Sequence, residues 1–299
     1  MEDNLRSRVQ STGLSAFLTL DVWETLFNVS NGIREASGCY RARRRLADLQ
    51  HYYDIVVTLS KKDFKLRYRN SVLGFVWSLL NPLAYMVILT AVFSYLLRSN
   101  IPNFPSWELL ALLVWRFFQV GTSSSLSAIV GNPSFVTKVR LPRFLIVLSA
   151  NVASLYGAVL EWVALSPVLI VLGIRITFLA LLLPVILVME FVLIFGVSLG
   201  LAALNTRYRD FAQLWDIALQ LGFFLSPIVY DPSLIPAGYS FVYFLNPMTR
   251  LIDAARDIFL FGYPPFPTDY AVVAVACGVL LLVGGGIFRS FERRFAEEL

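Results

Sequence analysis

Six long runs of mostly apolar residues decide what this chain can fold into. They fall at about 72–97, 107–130, 144–172, 177–204, 212–230 and 270–288. Crossing about 30 Å of hydrocarbon takes roughly 20 apolar residues as α-helix, and in lipid only helices and closed barrels satisfy every backbone N–H and C=O. Runs this long and continuous lack the short alternating segments of a membrane barrel. Of the 299 residues, 57% are hydrophobic and 15% charged, against roughly 25% charged in a soluble domain. The expectation is an all-α integral membrane protein of six transmembrane helices.

The 25 Lys and Arg set the orientation. Twelve precede residue 72, three lie in the 131–143 loop, two are Arg207 and Arg209, and three follow the last run at Arg289, Arg293 and Arg294. The opposite side holds Arg98, Arg175, Arg250 and Arg256, and Arg116 falls within a run. By the positive-inside bias both termini are expected in the cytoplasm and the protein in the cytoplasmic (inner) membrane. Basic inner loops facing anionic lipid account for the net charge of +5 without a nucleic-acid partner.

The expected domains are a basic cytoplasmic arm (1–50), an amphipathic interfacial helix (51–71), the six-span region (72–291) and a cytoplasmic tail (292–299). In the arm, Ala16, Leu20, Trp23 and Phe27 recur at helical spacing while Asp21 and Glu24 interrupt the apolar run, so it reads as an amphipathic helix rather than a signal peptide. In the interfacial helix Tyr52, Ile55, Val56, Leu59 and Leu66 share one face, with Lys61, Lys62, Lys65, Arg67 and Arg69 around it and Asp63 the exception. GIRIT, 173–177, makes spans three and four a tight hairpin. Between spans five and six, the proline-rich 231–268 segment carries TRLIDAARDIFLFG, read as a short amphipathic helix dipping into the outer leaflet and ending at Gly262. Cys39 and Cys277 fall in different compartments and are expected as free thiols.

No glycine is followed by lysine, so the chain has no Walker A phosphate loop. The only histidine is His51, and neither an HExxH nor a paired-cysteine metal pattern is present. Three charges fall at membrane depth: Arg116, Glu161 and Glu190. Counted from Arg175 in the outer turn, both carboxylates lie roughly 21–22 Å down their helices. An ion pair of Arg116 with one of them is expected, either as a clamp between helices or as part of a proton relay. Trp77, Asn81 and Tyr85 recur every four residues along span one beside Pro82, and Gln213, Asp216, Gln220 and Phe224 follow helical spacing along span five. Such stripes suit a sugar, whose CH faces stack on rings while its hydroxyls take hydrogen bonds; they equally suit aromatic packing between helices.

The basic, proline-bounded NPSFVTKVRLPR, Asn132 to Arg143, interrupts spans two and three. Together with KKDFKLRYRNSVLGFVWSLLNP, LVWRFFQVGTSSSLSAIVG, NTRYRDF and LNPMTRLIDAARDIFLFG, it resembles the ABC-2 type permeases that export lipid-linked polysaccharides such as O-antigen and teichoic acid, over about 52–299. The resemblance implies a six-span half-transporter that pairs with a second copy around a channel and docks two ATP-binding subunits. ATP and Mg would be bound by those subunits, with no cofactor in this chain. It further implies a coupling role for Asn132, Lys138, Arg140, Pro142 and Arg143, and an interfacial gate helix bearing Tyr52, Lys62, Asp63, Lys65, Arg67 and Tyr68. Trp77, Asn81, Tyr85, Asp216, Gln220 and Phe224 become candidates for the path of a polyprenyl-diphosphate-linked glycan. Arg116 departs from the pattern, since neutral residues are usual after the tryptophan. Export of another lipid or a drug is the near alternative; a proton-coupled carrier using Arg116, Glu161 and Glu190 is the distant one.

Overall fold

The computed structural model describes residues 50–67, 74–96, 101–138, 141–236, 238, 240–292 and 295, and every regular element among them is helical. The arm with Cys39, together with Tyr68, Arg69, Arg140, Arg293 and Arg294, lies outside the described residues. The chain divides into two units, 1–54 and 55–299. Of the first, only the opening turn of helix α1 (50–67) is described.

Helix α3 (Phe104–Leu126) is the axis of the second unit. Its stretch Leu109, Leu110, Ala111, Leu112, Leu113 and Val114 is apolar on every face and buried throughout, as such a helix must be when neighbours surround it. Those neighbours are α2 (Val76–Thr90), α5 (Phe144–Val171), α6 (Leu183–Arg207), α7 (Phe211–Leu225) and α9 (Pro247–Arg256). The last long helix, α10 (Pro267–Glu292), packs along α6. Lipid offers no hydrophobic drive between helices, so close approach depends on small residues. Gly196 and Gly284 supply it: a Cβ on Gly284 would run into the Gly196 carbonyl, and one on Gly196 would stand 2.9 Å from the Leu280 backbone.

Among the described residues, five helices are long and apolar enough to cross a membrane: Val76–Ser94, Phe104–Leu126, Phe144–Val171, Phe178–Arg207 and Pro267–Glu292. This is an integral membrane protein. The expected fifth span, 212–230, is the exception: α7 stops after 15 residues, about 22 Å at 1.5 Å per residue. Pro227 pushes the residue before it out of the helical region, and Ser226 is extended at ψ 147°. The first span ends in a π turn, Ala91–Leu96, and the fourth begins with a 3-10 turn, Phe178–Leu182.

In the outer segment α8 (Ser240–Leu245) precedes α9, which Asn246 caps by accepting the Met248 N–H at 3.0 Å. A π turn, Asp257–Phe261, follows and closes at Gly262, whose φ of +70° is open to glycine at no steric cost. The helix read from TRLIDAARDIFLFG therefore forms, and it packs on α3 and α10. In the 131–143 loop, α4 (Pro133–Lys138) makes a single helical piece starting at a proline. Cys277 is a buried free thiol.

Candidate functional site

One glycine and one proline, Gly222 and Pro82, shape the middle of the bundle. Gly222 on α7 leaves room for Trp115 of α3, whose ring would stand 2.8 Å from any Cβ there. Trp115 in turn meets Phe223 edge-on at 6.1 Å, and Trp215 donates to Thr122 at 3.1 Å, so α7 is held against α3 by rings. Between α2, α3 and α7 this packing leaves a cavity of about 740 Å³. Asn81 and Tyr85 of α2, Arg116, Gln119 and Ser123 of α3, and Gln220 and Phe224 of α7 line it. Four of the six path candidates, Asn81, Tyr85, Gln220 and Phe224, thus line one space. Trp77 and Asp216 are exposed on the same two helices but outside that lining.

Pro82 does more than end a stripe. It has no N–H, so the Ser78 carbonyl four residues earlier loses its helical donor. Arg116 takes that place, with Nη2 donating to Ser78 O at 3.4 Å. The same guanidinium donates from Nε to Glu161 Oε2 at 3.3 Å and from Nη2 to Glu161 Oε1 at 3.1 Å, a two-pronged pair of α3 with α5. The expected pairing is therefore with Glu161. Glu190 is fully buried on α6, and neither of its carboxyl oxygens has a hydrogen-bond partner among the described residues.

Two further charges escaped the sequence reading. Glu108 of α3 is fully buried and accepts from Thr90 Oγ1 at 3.4 Å, tying the end of α2 to α3. Arg256 of α9 is 1% exposed and lies 3.7 Å from the centre of the Trp107 ring. It donates to the carbonyls of Trp107 at 3.4 Å and Ile228 at 3.3 Å and pairs with Asp253 at 3.6 Å. Burial lowers the Arg256 pKa to about 10 and raises that of Asp253 to about 6, the latter against the pull of Arg256. Together with Arg250, which pairs with Asp269 at 2.7 Å, these residues border a second cavity of about 880 Å³. The signal available was positional: Glu108 sits at the edge of the second apolar run, and Arg256 stands three residues after Asp253 on a short amphipathic helix.

At the end of α3 the proposed gate and coupling residues meet. Lys62 of α1 donates to Asn132 Oδ1 at 2.7 Å and lies 5.3 Å over the Phe135 ring of α4. Asp63 is 3.8 Å from Lys62, and partial burial raises its pKa. Ser60 donates to the Ser149 carbonyl of α5 at 3.0 Å, while Arg67 donates to Ser124 at 2.8 Å and Ser154 at 3.2 Å. Arg143 is engaged within the chain: it donates to the Glu292 carbonyl at the end of α10 and faces the Phe295 ring at 5.9 Å. Pro142 is half-buried beside it and Lys65 is exposed. Lys138 is the last residue of α4, and Tyr52 stands in the first turn of α1 beside His51, ring centres 6.3 Å apart.

A helical bundle with a polar-lined cavity and a helical loop between its second and third long helices fits a permease, and the family comparison agrees. The ABC-2 type transporter model matches residues 55–260. This chain belongs to the ABC-2 type transporter family. In that family the membrane permease leaves ATP hydrolysis to a partner subunit. The O-antigen export system permease protein RfbA of Myxococcus xanthus is 32% identical over 262 residues, covering 86% of this chain and 99% of that protein. The Klebsiella pneumoniae RfbA is 31% identical, covering 84% and 97%. The polysialic acid transport protein KpsM of Escherichia coli is 25% identical, covering 79% and 93%.

Proposed function

We propose that this chain is the permease half of an ATP-driven exporter that moves a polyprenyl-diphosphate-linked polysaccharide across the bacterial inner membrane. Two copies, each with six spans if the short α7 completes its crossing through 226–230, would enclose the path and dock two ATP-binding subunits. Both termini would face the cytoplasm, with α9 dipping into the outer leaflet. The observation that carries this reading is the cavity between α2, α3 and α7, where amides of Asn81, Gln119 and Gln220 stand beside the rings of Tyr85 and Phe224. Rings with amide neighbours offer stacking faces and hydrogen bonds together, the mixture a polyhydroxylated chain needs. The curated relatives, named for O-antigen and polysialic acid, support the polysaccharide class.

In this reading α4 is the coupling helix. A short helical piece joined directly to α3 and α5 passes a push from the ATPase to both, and Lys62 shares the load with α1 through Asn132 and Phe135. The carrier reading needs Arg116, Glu161 and Glu190 to act as one relay, whereas no hydrogen bond joins Glu190 to the Arg116–Glu161 pair. Inverted vesicles holding the permease and its ATPase test the choice. Export of lipid-linked glycan is expected to need ATP and to survive a protonophore; export that stops with the proton gradient and continues without ATP would make the chain a carrier. Lys138→Glu with Arg140→Glu should leave insertion normal and reduce ATPase co-purification at least about tenfold. Unchanged co-purification and export would reduce the loop to a connector.

A further inference from the structure

Among the described residues that line the cavity, Arg116 is the one with a formal charge, set among amides, hydroxyls and rings. Guanidinium offers five N–H groups. Three are engaged: Nε and one of Nη2 with Glu161, the other of Nη2 with the Ser78 carbonyl that Pro82 leaves open. Both N–H groups of Nη1 have no partner among the described residues, and the side chain keeps 15% of its surface open. Glu161 pairs with Arg116 but is not among the residues that line the cavity, and its side chain is 10% exposed. The site thus presents donors, while its net charge is zero.

That combination matters for a polymer that must pass rather than stay. A lone cation at membrane depth, where water screens poorly, would hold every acidic segment that reached it. Cancelled by a carboxylate that takes no part in the lining, the same guanidinium can still donate hydrogen bonds to hydroxyl and ring oxygens. We propose that Arg116 is a contact residue for the passing glycan and that Glu161 is a positioning residue which neutralises it, so that the path accepts neutral and acidic polysaccharide with little discrimination. This inference rests on the reading of the cavity as the glycan path.

The test uses the permease with its ATPase in lipid nanodiscs, with maltohexaose as neutral probe and hexagalacturonate as acidic probe, read by the fluorescence of Trp115 and its neighbours. The wild type is expected to bind both with affinities within about threefold. Glu161→Gln frees the cation and should tighten hexagalacturonate by about tenfold or more while moving maltohexaose by less than about threefold. Arg116→Gln leaves the carboxylate alone and should shift the ratio the other way by a similar factor. The double variant R116Q/E161Q is expected to return the ratio to the wild-type value, and with Arg116→Gln it carries the comparison if Glu161→Gln does not insert. Binding of both probes at one ratio in every inserted variant would overturn the inference and leave the path reading intact. Binding of neither probe by the wild type would overturn both.

Discussion

The two sides of α3 are built on opposite principles. Toward α6 and α9 the packing is close: a Cβ on Gly121 of α3 would stand 2.8 Å from the Ile194 side chain of α6, α10 is locked onto α6 in turn where Gly196 meets Gly284, and Arg256 is sealed between the Trp107 ring and two carbonyls. Toward α2 and α7 it is open, for Pro82 is the one buried residue in α2 and Leu219 the one in α7. Trp77 at 59% and Tyr85 at 53% exposure stand free on that side. In lipid, apolar burial alone does not drive helices together; on the close side backbone meets backbone, whereas on the open side Gly222 admits a single ring, that of Trp115. The close side is a scaffold. The open side, which carries the polar and aromatic stripe, is where substrate or a second copy would be met.

If the close side is a scaffold, damage there should appear in stability. The largest effect is expected for Gly284→Ala, because the added methyl meets backbone that has no rotamer with which to yield; a loss of about 3 kcal/mol is expected from overpacking, read as a lower unfolding midpoint and reduced monodisperse yield in detergent. Next comes Arg256→Met. It keeps length over Trp107 but strands Asp253 and two carbonyls; Asp253 keeps 28% of its side-chain surface open, so a loss of about 2 kcal/mol is expected, less than for a fully enclosed pair. A thermal midpoint within 2 °C of wild type, on the order of 1 kcal/mol or less, would show Arg256 to be dispensable. On the open side the expectation reverses. Trp77→Ala and Tyr85→Ala should change stability by less than about 1 kcal/mol, being surface substitutions, while lowering glycan export several-fold in vesicles. Normal export by both variants would make the stripe a packing or lipid-facing feature, and the contrast between the two sides would lose its functional meaning.

Much of the scaffold was legible in the residues, because hydrocarbon imposes length and apolarity and these survive in any single sequence. Helices α3, α5, α6 and α10 begin and end within a few residues of their apolar runs. The cut in α7 was also written there, as Pro227, but an apolar run gives no hint that the chain leaves the helix inside it. The meeting of Asn81, Tyr85, Gln220 and Phe224 followed from two stripes at helical spacing, whereas the exclusion of Trp77 and Asp216 depends on where α2 and α7 rest on α3. Depth counting brought Arg116 near both carboxylates. It could not choose Glu161 over Glu190, since the choice is made by rotation about the helix axes. Arg256 looked like one more outer cation; besides Asp253 on its own helix, its partners are a ring and carbonyls from elsewhere in the chain, and backbone carbonyls carry no residue-type signature.

Arg143 closing on the Glu292 carbonyl and the Phe295 ring has a practical side for anyone who tags or trims this chain. A fusion attached beyond Leu299 keeps both partners. A stop codon placed before Glu292, by contrast, removes the acceptor and the ring at once and leaves a guanidinium without its cover beside the loop after α4.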